Sequence, residues 1–82
     1  MPDRILVVED ERSIRTIIEY ALQEAGFTVV MAARGDEALD VFARENVDLV
    51  ILDIMLPGVA GLEVCRRIRA PDSTPLILLS AR

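Results

Sequence analysis

Apolar residues along this chain follow two rhythms, short unbroken runs and stretches with a step of three or four. Arg4-Ile5-Leu6-Val7-Val8 is a β-branched run with no polar break after Arg4, the pattern of a strand covered on both faces of a parallel sheet. It stops at Glu9-Asp10-Glu11. From Ser13 the apolar positions Ile14, Ile17, Ile18, Ala21, Leu22 and Ala25 line one face of an amphipathic helix, which Gly26 caps. Phe27 to Ala32 reads as a second strand. Gly35-Asp36-Glu37 then opens a helix with Ala38, Leu39, Phe42 and Ala43 facing inward. Val47 to Leu52 is a third strand, and Pro57, Gly58 and Gly61 punctuate a loop. Leu62, Val64, Cys65 and Ile68 mark a third helix running to Ala70. After a turn from Pro71 to Pro75, Leu76-Ile77-Leu78-Leu79 is a fourth buried strand.

The order is βαβαβαβ with short connections and no internal repeat, so the expected fold class is α/β. Right-handed crossovers place the helices on the faces of a parallel sheet. One domain spans residues 1–82. In such sheets reactive groups gather beyond the carboxyl ends of the strands, near the point where strand order reverses. The polar residues at those ends are Glu9 and Asp10 after strand one, Asp53 after strand three and Ser80 after strand four.

Charge and composition narrow the chemistry. The formal net charge is -5, which opposes binding to a polyanion, so this segment is expected to take no nucleic acid as a partner. The composition is that of a globular core in a solvated shell, and no membrane association is expected. A single cysteine, Cys65, cannot close an intramolecular disulfide, and Met1-Pro2-Asp3-Arg4 lacks the layout of a signal peptide, so the expected setting is cytoplasmic. The sequence holds no histidine and no lysine. Histidine-based nucleophilic catalysis, histidine-ligated zinc and lysine Schiff bases are thereby excluded within it.

What remains is carboxylates, hydroxyls and arginines. If strands one and three are neighbours, Glu9, Asp10 and Asp53 converge, and their mutual repulsion calls for a cation. Oxygen-only ligands suit a hard ion such as magnesium, which commonly uses one or two carboxylates together with a phosphate oxygen. A carboxylate is also a nucleophile toward a phosphoryl group and needs no histidine base. Each residue has a plainer reading beside this one. Glu9, Asp10 and Glu11 can be a solvated helix start with Asp10 as N-cap. Asp53 can be a turn initiator before Pro57-Gly58, and Ser80 an ordinary turn serine.

Taken together, Val8-Glu9-Asp10-Glu11, Asp53-Ile54-Met55-Leu56-Pro57-Gly58 with Gly61, and Leu79-Ser80-Ala81-Arg82 resemble, in order and spacing, the receiver-domain family of two-component response regulators. The resemblance implies a flavodoxin-like (CheY-like) receiver fold with strand order 2-1-3-4-5. It implies that Asp53 accepts a phosphoryl group from the phosphohistidine of a histidine kinase. It further implies that Asp10 and Asp53 ligate Mg2+, that Glu9 supports the ion through water, and that the Met55 carbonyl completes the protein ligands. Ser80 corresponds to the family's switch hydroxyl, which bonds the phosphoryl oxygen. Such a domain is a phosphoacceptor in signalling and not a turnover enzyme.

The family also carries a lysine at the end of a fifth strand, followed by a last helix, and the pattern here stops after the fourth strand. A partial receiver fold is therefore expected, with Leu76 to Leu79 as an open hydrophobic edge that pairs with a second copy in a homodimer. The alternative function is a receiver-derived assembly fragment that self-associates and has lost signalling competence. An aspartate-nucleophile hydrolase of the haloacid-dehalogenase kind fits less well, because that family wants a second aspartate where this chain has Met55.

Overall fold

Short β-branched and leucine-rich runs leave their backbone amides and carbonyls to be paired by neighbours, and here they pair with one another in parallel. A computed structural model describes residues 3–53, 61–69 and 75–79. Its strands are β1 (Arg4–Val8), β2 (Thr28–Ala32), β3 (Leu49–Asp53) and β4 (Leu76–Leu79). The helices are α1 (Arg12–Glu24), α2 (Gly35–Arg44) and α3 (Gly61–Arg69). The strands form one sheet in the order β2-β1-β3-β4, all parallel. This is the expected α/β arrangement, with β1 and β3 as neighbours.

Element ends differ from the sequence reading by one or two residues. Phe27 stays outside β2, its N–H held by the Leu22 carbonyl at the end of α1. Gly26 takes φ +96, the left-handed conformation that lets the chain leave the helix and turn back. β3 begins at Leu49, because Val47 and Asp48 form the approach to it. Asp48 closes that approach by accepting the Arg4 N–H on its side chain (2.8 Å) while its own N–H donates to the Arg4 carbonyl (2.7 Å). β3 also runs one residue further than expected, so Asp53 is the last residue of the strand itself. Glu11, and not Asp10, is the N-cap residue of α1. The expected end of α3 at Ala70 lies outside the described residues.

The two faces of the sheet are covered unequally. Leu6, Val8, Ala32, Val50 and Leu52 point to one face and meet Ala38 and Val41 of α2 and Val64 and Ile68 of α3 in a single buried cluster. α1 packs against β1 and β2 on the other face, over Ile5 and Val7. Among the described residues no second helix joins it there. Ile51 of β3 is consequently only half-buried, and Ile77 of β4 is 49% exposed.

Inner-face assignments on all three helices are corrected by this arrangement, and on α1 Ile14 and Ala21 are exposed. Ile17 is 67% exposed although it belongs to the apolar stripe of α1, because among the described residues no second helix packs beside α1 on that face. On α2 Gly35, Ala38 and Val41 are buried, while Ala43 is exposed. On α3, Leu62 faces solvent while Val64 and Ile68 are buried.

Candidate functional site: an acidic cluster at the carboxyl end of the sheet

Register builds the site. β1 and β3 pair with Val8 opposite Leu52, so the next residue on each strand places Glu9 beside Asp53. On its other side Glu9 continues the ladder to β2, its N–H donating to the Ala32 carbonyl at 3.0 Å. Asp53 is in turn opposite Leu79 of β4. Asp53 therefore ends one central strand and Glu9 directly follows the other, and both are buried, with 2% exposure for Glu9 and 3% for Asp53.

Asp10 joins them from the turn that follows β1. One carboxylate oxygen from each of Glu9, Asp10 and Asp53 lies within 4.8 Å of the others. Burial pushes the Glu9 carboxyl above its ordinary range. The Glu11 N–H, donating to Glu9 Oε2 at 2.9 Å, pulls the other way, and the neighbouring carboxyls of Asp10 and Asp53 raise it further.

The donor set tests well against a hard divalent ion. It offers only oxygens, carries enough negative charge to offset dehydration, and is compact. Oxygens on one magnesium ion are about 3 Å apart when adjacent and about 4.2 Å apart when opposite, so donors within 4.8 Å of one another are near enough to share an ion once their side chains adjust. A thiol or imidazole site would need residues that the described part of the cluster does not contain. The arrangement can hold a cation, present Asp53 as a nucleophile at a strand end, and exclude bulk water from two of its three carboxylates.

The structure thus brings together three of the residues singled out in the sequence, Glu9, Asp10 and Asp53. Met55 and Ser80 lie outside the described residues. Sequence reasoning missed Arg15, whose Nη1 donates to the Glu9 carbonyl at 2.9 Å and stands 3.5 Å from the Asp10 carbonyl. A signal was available, since α1 has no acidic residue in its first turn yet places Arg12 and Arg15 near that end. Cations there run against the helix dipole unless something else uses them.

Known proteins share this architecture. The family model for the response regulator receiver domain matches residues 5–82. The transcriptional regulatory protein AfsQ1 of Streptomyces coelicolor is 47% identical over 78 residues, which is 95% of this chain and 35% of AfsQ1. This chain thus spans about a third of the length of the curated relatives it matches. The response regulator TrrA of Thermotoga maritima, solved in complex with Mg(2+)-BeF, superposes with a TM-score of 0.92 at 48% identity, covering 98% of this chain and 70% of that one. TrrA has also been solved in complex with the histidine kinase ThkA, where the TM-score is 0.88 at 49% identity, with 96% of this chain and 69% of that one covered.

Proposed function

This chain belongs to the response regulator receiver domain family, and on that premise we propose that Asp53 is its phosphoryl acceptor, served by Mg2+ and by a histidine kinase as phosphodonor. The observation that carries the reading is the convergence of buried Asp53 with Glu9 and Asp10 at the carboxyl end of the two central strands. The domain would act as a phosphorylated switch and not as a turnover enzyme. Its encounter with the kinase is assigned to the cytoplasm, in keeping with the lone thiol of Cys65.

In the transfer, a carboxylate oxygen of Asp53 forms a bond to phosphorus as the phosphorus–nitrogen bond of the phosphohistidine breaks, and the electron pair leaves with the imidazole. Asp53 needs no base, because an ionised carboxylate is already the nucleophile. Its backbone is held between β1 and β4, so the attacking oxygen is positioned by the sheet and not by a loop. The negative charge of Glu9 and Asp10 would by itself repel an incoming phosphoryl group. Asp10 and Asp53, with Glu9 behind them, would hold Mg2+, which would supply the charge neutralisation that an approaching phosphoryl group needs. The kinase–regulator complex of TrrA and the Mg(2+)-BeF complex of the same protein support the donor and the ion. Met55, as a carbonyl ligand, and Ser80, as the switch hydroxyl, are assigned by family likeness.

Intact-mass measurement after incubation with Mg2+ and a small phosphodonor tests the proposal on the wild type and Asp53→Asn. A single phosphoryl adduct on the wild type alone is expected. An adduct on both proteins, or on neither, would deny Asp53 the role, and absence on the wild type would favour the assembly reading.

That second reading has its own observation. β4 is the outer strand of the described sheet, and Ile77 on it is half exposed, as are Ile17 and Tyr20 of α1 to a greater degree. We propose a symmetric homodimer joined along β4, since an apolar edge strand is a pairing site for another chain. Light scattering at micromolar concentration is expected to give twice the monomer mass and to fall to the monomer mass for Ile77→Lys. A monomeric wild type with a cooperative melt would overturn the dimer.

A further inference from the structure

We infer that Arg15 is a positioning residue for the acidic cluster, its guanidinium fixing the turned backbone after β1 so that the successive carboxylates of Glu9 and Asp10 face one cation. The inference rests on the phosphoacceptor reading of that site.

In an extended strand, successive carbonyls and successive side chains point to opposite sides. Two adjacent residues can offer their carboxylates to one ion only where the chain has left that geometry. Arg15 marks the departure. Its Nη1 lies 2.9 Å from the Glu9 carbonyl oxygen and 3.5 Å from that of Asp10, so one nitrogen addresses two successive carbonyls. The same turn brings the Glu9 and Asp10 carboxylates within 4.8 Å of each other and of Asp53.

The other contacts on Glu9 secure it from different directions. Its N–H is bonded to Ala32 of β2 and its carboxylate accepts from the Glu11 N–H. The guanidinium ties the Glu9 and Asp10 carbonyls to the body of α1. Arg15 is half-buried, beside a small cleft formed with Met31, Ala32, Ala33 and Glu37.

Charge and position make opposite demands, and this separates them. A guanidinium close to a cation site repels the cation, so if charge alone mattered, removing Arg15 would tighten binding. If Arg15 holds the turn, removing it lets the two carboxylates separate and weakens binding. Loss of a group that orients metal ligands typically lowers affinity by about 10- to 100-fold.

The experiment is a calorimetric titration of this chain with Mn2+ and with Mg2+, comparing wild type, Asp10→Asn, Arg15→Ala and Arg15→Gln, with circular dichroism and melting recorded beforehand in chelator. Wild type is expected to bind, Asp10→Asn to lose most of its affinity, and Arg15→Ala to bind about 10-fold or more weakly while keeping the wild-type spectrum. A residue that only stabilised the fold would lower the melting temperature and leave the cation affinity of the folded chain unchanged. Affinity in Arg15→Ala equal to or tighter than that of a binding wild type overturns this inference alone. Should Arg15→Ala not fold, Arg15→Gln is read by the same criterion, weaker binding supporting the inference and unchanged or tighter binding overturning it. A wild type that takes up neither ion overturns the phosphoacceptor reading, and this inference with it.

Discussion

The Glu11 N–H donates to Glu9 Oε2 across 2.9 Å, so a carboxylate of the acidic cluster also closes the start of α1, where the N-cap side chain makes no capping bond. Glu9→Ala leaves that N–H without its acceptor and opens space in a buried site, which should cost about 1–3 kcal/mol. Glu9→Gln keeps a carbonyl oxygen for the same bond and should cost less. Urea melts in chelator compare the two, and equal stability of Glu9→Ala and wild type would refute the capping role.

Divalent cation should stabilise the folded chain, because the three carboxylates are gathered only there. A ligand at 100 times its dissociation constant adds about 2.7 kcal/mol. Melting temperature should rise with Mg2+ for the wild type and barely move for Asp10→Asn combined with Asp53→Asn. A rise of the same size in both proteins would place the ion elsewhere.

Glu63 provides a pH-dependent contribution away from the site. Arg66 bonds both its oxygens and Arg67 Nε reaches Oε2 at 2.7 Å, and these guanidinium hydrogen bonds bring its carboxyl down to about 2 from an ordinary 4.5. The folded pKa is the lower one, so the stabilisation is present above pH 4.5 and is lost as the pH falls toward 2. Carbon-detected titration of the Glu63 carboxyl should show the low midpoint, moving upward in high salt because the group is exposed to screening. A midpoint near 4.5 at low salt would contradict the ion-pair geometry.

The unequal faces of the sheet predict unequal sensitivity to truncation. Leu52 is fully buried between β1 and the α2–α3 layer, and Leu52→Ala should cost about 2–5 kcal/mol, enough to unfold much of so small a domain. Ile17→Ala, on a residue mostly in solvent, should stay within about 0.5 kcal/mol. Chemical denaturation of both variants measures the contrast, and similar losses would mean that α1 is covered in solution.

Strand and helix identity was legible because each element is long enough for its period to show. The run Ile5 to Val8 and the three-four spacing from Ile14 to Ala25 admit few other structures. The candidate site was legible for a related reason, since Glu9, Asp10 and Asp53 stand where buried apolar runs break off, and a parallel sheet brings such breaks to one end. Arg15 was not legible, because its contact depends on a turned backbone six residues away that no periodicity reports. Ile17 and Leu62 were misassigned because a stripe says which residues share a face and nothing of what lies opposite.

By itself, then, the sequence determined the elements, their parallel arrangement and the acidic character of the carboxyl end of the sheet, all of which follow from local pattern and chain connectivity. Tertiary structure alone decided that Val8 pairs with Leu52, and so that Glu9 lies beside Asp53. It also decided that one face of the sheet is closed by α2 and α3 while the other has α1 among the described residues, and that Arg15 grips the Glu9 carbonyl. Those relations join residues far apart in the chain or across a turn, and their energies arise only when register and packing have brought the partners within reach.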